Sequence, residues 1–129
     1  MEEAIVILVV EDDELLQGVV EDALTEGGFE IALASSGEQA VELLNGAEPV
    51  CRALVTDINL AKNRMNGWAV ARHARESRPD MPVVYMTGEA ADDWPSQGVP
   101  NSILLTKPFA PAQLVTAISQ LLNNGAASS

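Results

Sequence analysis

The stretch AIVILVVEDDELL, residues 4–16, carries an apolar run directly into the acids Glu11, Asp12 and Asp13. A run of this length, rich in Val and Ile and without alternation, is typical of a strand buried on both faces of a parallel sheet. Acids that follow such a strand stand at its carboxyl end, where open α/β sheets place their functional groups. The stretch therefore predicts the first strand of an α/β sheet with a polar site at its end.

Four more strands are predicted along the chain. Apolar runs at residues 53–56, 82–86 and 103–105 resemble the first run and predict further buried strands. The run at residues 29–34 alternates large apolar residues with polar or small ones, which favours a less buried strand near a sheet edge.

Amphipathic patterns between these runs predict helices. They lie at residues 15–24 before Gly27-Gly28, after a capping box at residues 36–39, at residues 68–77, and after Pro111. A regular alternation calls for one more helix within residues 89–100. Pro95 and Gly98 interrupt that segment, so one or two irregular turns are expected there.

The order of elements predicts a doubly wound α/β fold of the flavodoxin-like type. Right-handed crossovers would give a five-stranded parallel sheet with helices on both faces and a degraded fourth helix. The edge character of the second strand favours the strand order 2-1-3-4-5. We predict one domain over residues 1–123 and a disordered tail over residues 124–129.

Charge and composition narrow the classes of function. The net charge of −12 disfavours direct binding of nucleic acid or anionic membrane surfaces. One cysteine, Cys51, excludes an internal disulfide, and no apolar stretch approaches the roughly 20 residues of a membrane helix. A cytoplasmic location is expected. Most of the few basic residues lie mid-chain, either as a solvated face or as a docking stripe for an acidic partner: Lys62, Arg64, Arg72, Arg75 and Arg78.

Chemically capable side chains follow four of the predicted strands. They are Glu11 and Asp12 after the first, Asp57 after the third, Thr87 after the fourth and Lys107 after the fifth. Packed carboxylates suit Mg²⁺, which prefers oxygen ligands, and the Asn59 backbone carbonyl offers a further oxygen. A carboxylate beside Mg²⁺ can act as a nucleophile towards phosphorus, with an ammonium and a hydroxyl to neutralise the phosphoryl oxygens.

Each of these residues also has a purely structural interpretation. Acids after a strand often favour a helix dipole, a single Asp often caps a turn, and Thr-Gly and Lys-Pro are common loop pairs. Their joint occurrence at the ends of the right strands favours one site for phosphoryl chemistry.

The stretches ILVVEDDEL (7–15), ALVTDINL (53–60), VVYMTGEA (83–90) and LLTKPF (104–109) together resemble a response-regulator receiver domain of two-component signalling, of the stand-alone chemotaxis-regulator-like type. The resemblance covers about residues 4–122. It implies a phosphoprotein whose only catalysis is Mg²⁺-dependent phosphorylation and dephosphorylation of its own aspartate. The phosphoryl group would come from a phosphohistidine on a histidine kinase or phosphotransfer protein, and the output would be contact with an unidentified protein.

The resemblance also implies a role for each matching residue. Asp57 corresponds to the phosphoacceptor, Glu11 and Asp12 to the Mg²⁺-positioning acids, Thr87 to the switch hydroxyl, and Lys107 to the phosphate-binding lysine. Asn59 and Glu89 stand where relatives tune the rate of hydrolysis.

Three departures from the family pattern are visible. Ala61 replaces a usual proline and Gly67 comes about two residues late, which predicts a longer and more mobile loop at residues 62–66. Leu104 occupies the place of an aromatic residue that usually moves on activation. The degraded fourth helix argues against the dimer that many receivers form through that face.

Alternative functions remain open. The chain could be the C-terminal receiver of a hybrid histidine kinase, or a receiver fold that is never phosphorylated. An aspartate-based phosphohydrolase is disfavoured because its nucleophile usually follows the first strand in an Asp-x-Asp-x-Thr pattern, which is absent here. A nucleotide-binding domain would need a glycine-rich turn after the first strand, where acids stand instead. Trp68 is expected to pack at the start of the third helix, Trp94 to be half exposed, and His73 to be an ordinary surface or boundary residue.

Overall fold

The computed structural model describes residues 4–60 and 65–127, with side chains through Asn124. Its sheet has five strands, all parallel: β1 (Val6–Val10), β2 (Glu30–Ala34), β3 (Cys51–Asp57), β4 (Val83–Thr87) and β5 (Ile103–Thr106). The spatial order is β2-β1-β3-β4-β5, which confirms the predicted doubly wound topology.

The helices lie on both faces of the sheet. They are α1 (Glu14–Glu26), α2 (Gly37–Asn45), α3 (Gly67–Ser77), α4 (Trp94–Gln97) and α5 (Pro111–Ala127). Successive strand residues point to opposite faces, so Ile7 and Val9 pack with α1 and α5 while Leu8 and Val10 pack with α2 and α3. This two-sided burial explains why the central strands read as continuous apolar runs.

Side-chain caps set the beginning of three helices. Asp13 accepts hydrogen bonds from the amides of the first turn of α1, at 2.9 and 3.3 Å. Ser36 and Asn66 do the same for α2 and α3, each at 3.0 Å. The predicted capping box at residues 36–39 is only half formed, because Gln39 Oε1 accepts from the Ser35 amide instead of the Ser36 amide.

The region of the fourth helix is reduced as predicted. A 3-10 turn at Ala91–Asp93 leads into the four-residue helix α4, with Pro95 in its first turn. Trp94 is half-buried, in line with the prediction, and its indole N–H donates to Ser102 Oγ at 3.0 Å. The Tyr85 hydroxyl accepts from the Val99 amide at 3.1 Å, which ties the end of this segment to β4.

The arginines of the mid-chain region serve the fold. Arg72 bonds Gln97, Arg75 bonds the carbonyls of Met81 and Pro100, and Arg78 bonds the carbonyl of Cys51. Arg75 and Arg78 donate to backbone oxygens, whereas Arg72 is exposed, so the solvated face and the docking stripe both stay predictions. Lys62 and Arg64 lie outside the described residues, as does most of the loop predicted to be longer and more mobile.

Trp68 packs at the start of α3, as expected, with 5% exposure and its ring centroid 4.7 Å from that of Tyr85. His73 is a half-buried boundary residue that bonds Asn45 at 3.0 Å. The helix α5 continues to Ala127, past the boundary predicted at residue 123, because the Asn, Gly and Ala residues there do not prevent helical hydrogen bonding. Among the described residues, no helix has the length and apolar character to cross a membrane.

Candidate functional site

The centre of the site is Asp57, the last residue of β3. It is 6% exposed, and its Oδ1 accepts a hydrogen bond from the Ile58 amide at 2.9 Å. Gly67 at the start of α3 lies against the Asp57 backbone so closely that a side chain there would collide with the Asp57 carbonyl oxygen. The Gly67 amide also donates to the Ile58 carbonyl at 2.9 Å, so the start of α3 holds the end of β3 in place.

Two acids from the end of β1 converge on Asp57. One carboxylate oxygen from each of Glu11, Asp12 and Asp57 lies within 4.8 Å of the others. Glu11 is only 1% exposed, and its Oε2 accepts from the Asp13 amide at 3.1 Å. The structure thus brings together the three acids that the sequence places at two different strand ends.

Lys107 is the cation that the described residues bring to the site. Its Nζ lies 3.3 Å from Asp57 Oδ1 and 3.4 Å from Glu11 Oε1, so one ammonium bridges two carboxylates. The Lys107 amide donates to the Thr87 carbonyl at 2.8 Å, which joins the ends of β4 and β5.

The pKa values of the buried acids show that one lysine does not neutralise the cluster. Burial, reinforced by the charge of Asp57, raises the pKa of Glu11 to about 7, although Lys107 and the Asp13 amide oppose the shift. Burial also raises the pKa of Asp57, against the opposing effect of Lys107. The ionised forms of Glu11 and Asp57 are therefore less favoured in the folded protein than in water.

Thr87 supplies a hydroxyl at the end of β4 with 1% exposure. Its Oγ1 accepts from the amides of Glu89 at 3.1 Å and Ala90 at 2.8 Å. A hydroxyl that accepts these bonds keeps its own hydrogen to donate. Thr87 therefore holds the beginning of the following loop and keeps a donor at the carboxyl end of β4.

Asn59 and Glu89 are both exposed. Each lies two residues beyond a central group, Asn59 after Asp57 and Glu89 after Thr87. The structure leaves their predicted influence on hydrolysis as a prediction.

A further residue near the site carries no strong sequence signal. Gln17 in α1 donates from its side-chain amide to the Glu11 carbonyl and, at 3.1 Å, to Ser35 Oγ. In the sequence, Gln17 is simply a polar residue that follows two leucines in a predicted amphipathic helix.

The donor set fits a hard divalent cation. Three carboxylates within 4.8 Å of one another offer oxygen ligands only, and two of them are nearly buried. Mg²⁺ is typically held by one or two carboxylates together with phosphate oxygens and water. The raised pKa values of Glu11 and Asp57 agree with a site whose charge is balanced by a metal ion.

Comparisons with known proteins agree with this geometry. The family model described as "Response regulator receiver domain" matches residues 7–119. A crystal structure of a response regulator receiver protein from Sinorhizobium medicae is 48% identical, with a TM-score of 0.89 over 94% of this chain and 96% of that chain. A structure of the receiver domain of the sensor histidine kinase PA1611 from Pseudomonas aeruginosa, described with magnesium in its active-site cleft, has a TM-score of 0.78 at 24% identity over 94% of this chain and 99% of that one.

Curated relatives are longer than this chain. The transcriptional regulatory protein CusR of Escherichia coli K12 is 30% identical over 123 residues, which are 94% of this chain and 52% of the relative. The chain spans about half the length of the curated relatives it matches. With the receiver fold, the carboxylate cluster, the lysine and the hydroxyl in place, the chain belongs to the response regulator receiver domain family of two-component systems.

Proposed function

We propose that this chain is a phosphoacceptor module in which Asp57 takes a phosphoryl group from a phosphohistidine on a histidine kinase or phosphotransfer protein. The observation that carries the proposal is the position of the Asp57 carboxylate. It lies 3.3 Å from the Lys107 ammonium and belongs to a set of three carboxylates within 4.8 Å. A nucleophile, a cation and a metal-binding acid pair are the parts that phosphoryl transfer requires.

The transfer forms one bond and breaks another. A carboxylate oxygen of Asp57 attacks phosphorus, the P–N bond to imidazole breaks, and the imidazole nitrogen keeps the electron pair. The product on this chain is an acyl phosphate. Lys107 would move from its bridge between two acids to a phosphoryl oxygen, and the Thr87 hydroxyl would donate to another.

Mg²⁺ would be held by Asp12, Glu11, Asp57 and the Asn59 backbone carbonyl. Of the acid pair, Asp12 rather than Glu11 would coordinate the ion directly. When bound, it supplies positive charge that neutralises the phosphoryl oxygens. The contribution of the chain is to keep the acids close together in a mostly buried cluster, where Lys107 only partly offsets their mutual repulsion. Asn59 and Glu89, both exposed at the rim, would influence how readily water reaches the acyl phosphate.

An apolar groove beside the site supports a protein as the phosphoryl donor. A groove of about 550 Å³ is lined by residues of α1 and of the segment after β5, including Leu15, Val19, Lys107 and Phe109. Leu15 is 85% exposed and Val19 is 46% exposed. Large apolar side chains exposed next to a reactive group fit a docking partner that carries the phosphohistidine.

The output would be a protein–protein contact, and the reaction of the chain with its own phosphoryl group would be its only catalysis. A cytoplasmic location is proposed together with this role, because the buried thiol Cys51 is free.

The test is intact-mass spectrometry after incubation with Mg²⁺ and acetyl phosphate. The wild type should gain the mass of one phosphate, and a chelator added beforehand should prevent the gain. Asp57→Asn changes the volume little and removes the nucleophile, so it should gain nothing. A stable phosphate on Asp57→Asn, or no phosphate on a wild type that is also inert towards a phosphohistidine protein, would refute the proposal.

A further inference from the structure

We infer that Gln17 is a positioning residue for the metal site, acting through the backbone of Glu11. The inference rests on the proposed function, since it concerns the same acid pair. It adds a residue that lies outside the acid cluster and is not a ligand. The observation is that the Gln17 side-chain amide donates to the Glu11 carbonyl and to Ser35 Oγ.

The Glu11 carbonyl lies just beyond the regular sheet. The pairing of β1 with both neighbours ends at Val10, opposite Ala34 in β2 and Thr56 in β3. Glu11 is nevertheless 1% exposed, so a carbonyl there without a donor would be costly. Gln17, one turn into α1, reaches back to provide that donor.

The bonds on either side of Glu11 fix its orientation. The Glu11 amide donates to the Ala34 carbonyl at 3.0 Å, while the Glu11 carbonyl accepts from Gln17. The two peptide groups that flank the Glu11 Cα are therefore both held, which determines the two backbone dihedrals of that residue. Those dihedrals direct the Glu11 carboxylate and place the Cα of Asp12.

The second hydrogen bond extends the support to the neighbouring loop. Gln17 donates to Ser35 Oγ at 3.1 Å, and the Ser35 amide donates to Gln39 Oε1 at 2.8 Å. The loop that carries the acids is thus joined to the loop between β2 and α2 and to the first turn of α2. Such a connection resists the repulsion between the acids when no metal ion is bound.

The chemical type of the residue suits this task. A carboxamide offers two N–H donors and no charge. Lysine or arginine could also serve the carbonyl, but a second cation beside the cluster would repel Mg²⁺. A glutamate of the same shape could not donate at neutral pH.

The experiment measures Mg²⁺ binding to the unphosphorylated protein by calorimetry at constant ionic strength. Gln17→Met keeps the length of the side chain and removes its donors, so Mg²⁺ affinity should fall about tenfold, the lower end for residues that orient metal ligands. In acetyl phosphate reactions the half-saturating Mg²⁺ concentration should rise by a similar factor, while the plateau rate at saturating Mg²⁺ stays near the wild-type value. Gln113→Met is the matched control, because the Gln113 side chain also bonds the backbone near the start of a helix, where its Oε1 accepts from the Ala110 amide at 2.7 Å.

A double variant separates positioning from a general loss of structure. In a Glu11→Gln background, Gln17→Met should weaken the remaining Mg²⁺ binding by less than it does in the wild type, because the carboxylate that Gln17 orients has been replaced. Unchanged Mg²⁺ affinity in Gln17→Met, with or without a lower melting temperature, would overturn the inference and leave the proposed function intact. A wild type that binds no Mg²⁺ would instead count against the proposed function itself.

Discussion

The side chain of Glu11 combines near-complete burial with a charge that its surroundings disfavour. Its pKa is raised to about 7 by burial and by Asp57. In the unfolded chain the pKa of Glu11 is near 4.5, so the folded state binds the proton more tightly. The stability that neutral Glu11 contributes is fully present below about pH 4.5 and is lost as the pH rises through about 7.

This linkage predicts a pH dependence in the metal-free protein. The free energy of unfolding of the wild type, relative to that of Glu11→Gln, should decrease between pH 4.5 and pH 7, by an amount on the order of 3 kcal/mol. Glutamine has the same shape and does not titrate. Chemical denaturation at a series of pH values, in the presence of a chelator, measures the difference. A difference that stays constant with pH would contradict the prediction.

Gly67 offers a second prediction at this scale. A Cβ at this position would meet the Asp57 carbonyl oxygen and, at 2.9 Å, the Ile58 Cα, both of them backbone atoms that cannot turn aside. Gly67→Ala should therefore destabilise the fold by about 1–3 kcal/mol and displace Asp57.

Gly18→Ala is the control for that change. Gly18 lies inside α1 with nothing within 4 Å of its virtual Cβ, so alanine should stabilise the helix by up to about 1 kcal/mol. Urea unfolding of both variants gives the two free energies, and phosphorylation of Gly67→Ala by acetyl phosphate reports on the site. Equal stabilities for the two variants would show that the contact at Asp57 is not restrictive.

At the scale of elements, the sequence predicted structure best for strands buried on both faces of the sheet and for helices that begin at a capping side chain. Continuous apolar runs predicted the central strands, and the interruption by Pro95 predicted the reduced fourth helix. The roles of Arg75 and Arg78 could not be predicted, because their acceptors are backbone carbonyls brought near by the fold. The contact of Gln17 with Glu11 could not be predicted for the same reason, because every residue has a backbone carbonyl and the sequence does not show which one Gln17 bonds.

The exposed face of α1 carries a prediction about the donor. Leu15→Ala should leave phosphorylation by acetyl phosphate unchanged, because the Leu15 side chain is 85% exposed and supplies none of the groups that carry the chemistry. Transfer from a phosphohistidine protein that phosphorylates the wild type should slow about tenfold. Truncating an important interface residue typically costs more than about 1 kcal/mol of binding free energy, which corresponds to such a factor.

The matched control for this prediction is Val50→Ala. Val50 is 62% exposed and precedes β3, at the end of the sheet opposite to Asp57. Its truncation should affect neither reaction. If the transfer rate fell equally in both variants, or fell in neither, the groove beside α1 would not be the site that receives the donor.

For the molecule as a whole, the acid cluster links metal binding to folding. The unfolded chain does not hold Glu11, Asp12 and Asp57 within 4.8 Å of one another, so Mg²⁺ held as proposed would bind the folded state selectively. Ligand at about 100 times its dissociation constant should add roughly 2.7 kcal/mol to the free energy of unfolding.

We therefore expect the melting temperature of the wild type to rise steadily with the logarithm of Mg²⁺ concentration. Asp12→Asn should show little rise over the same range, since it lacks a ligand. Calorimetric melts at constant ionic strength separate this specific effect from general screening of the net charge of −12. Parallel increases in the two proteins would assign the effect to screening.

The pairing of Trp68 with Tyr85 has an optical consequence. The chain has one tyrosine and two tryptophans, and the rings of Tyr85 and Trp68 are 4.7 Å apart. At this separation, light absorbed by the tyrosine passes to the indole, so emission comes from the two tryptophans. Trp68 follows Gly67, which touches the Asp57 backbone, and Trp94 lies in the segment that begins beyond Thr87. The protein thus contains one native fluorophore directly after the glycine that packs on the Asp57 backbone, and another in the segment beyond Thr87.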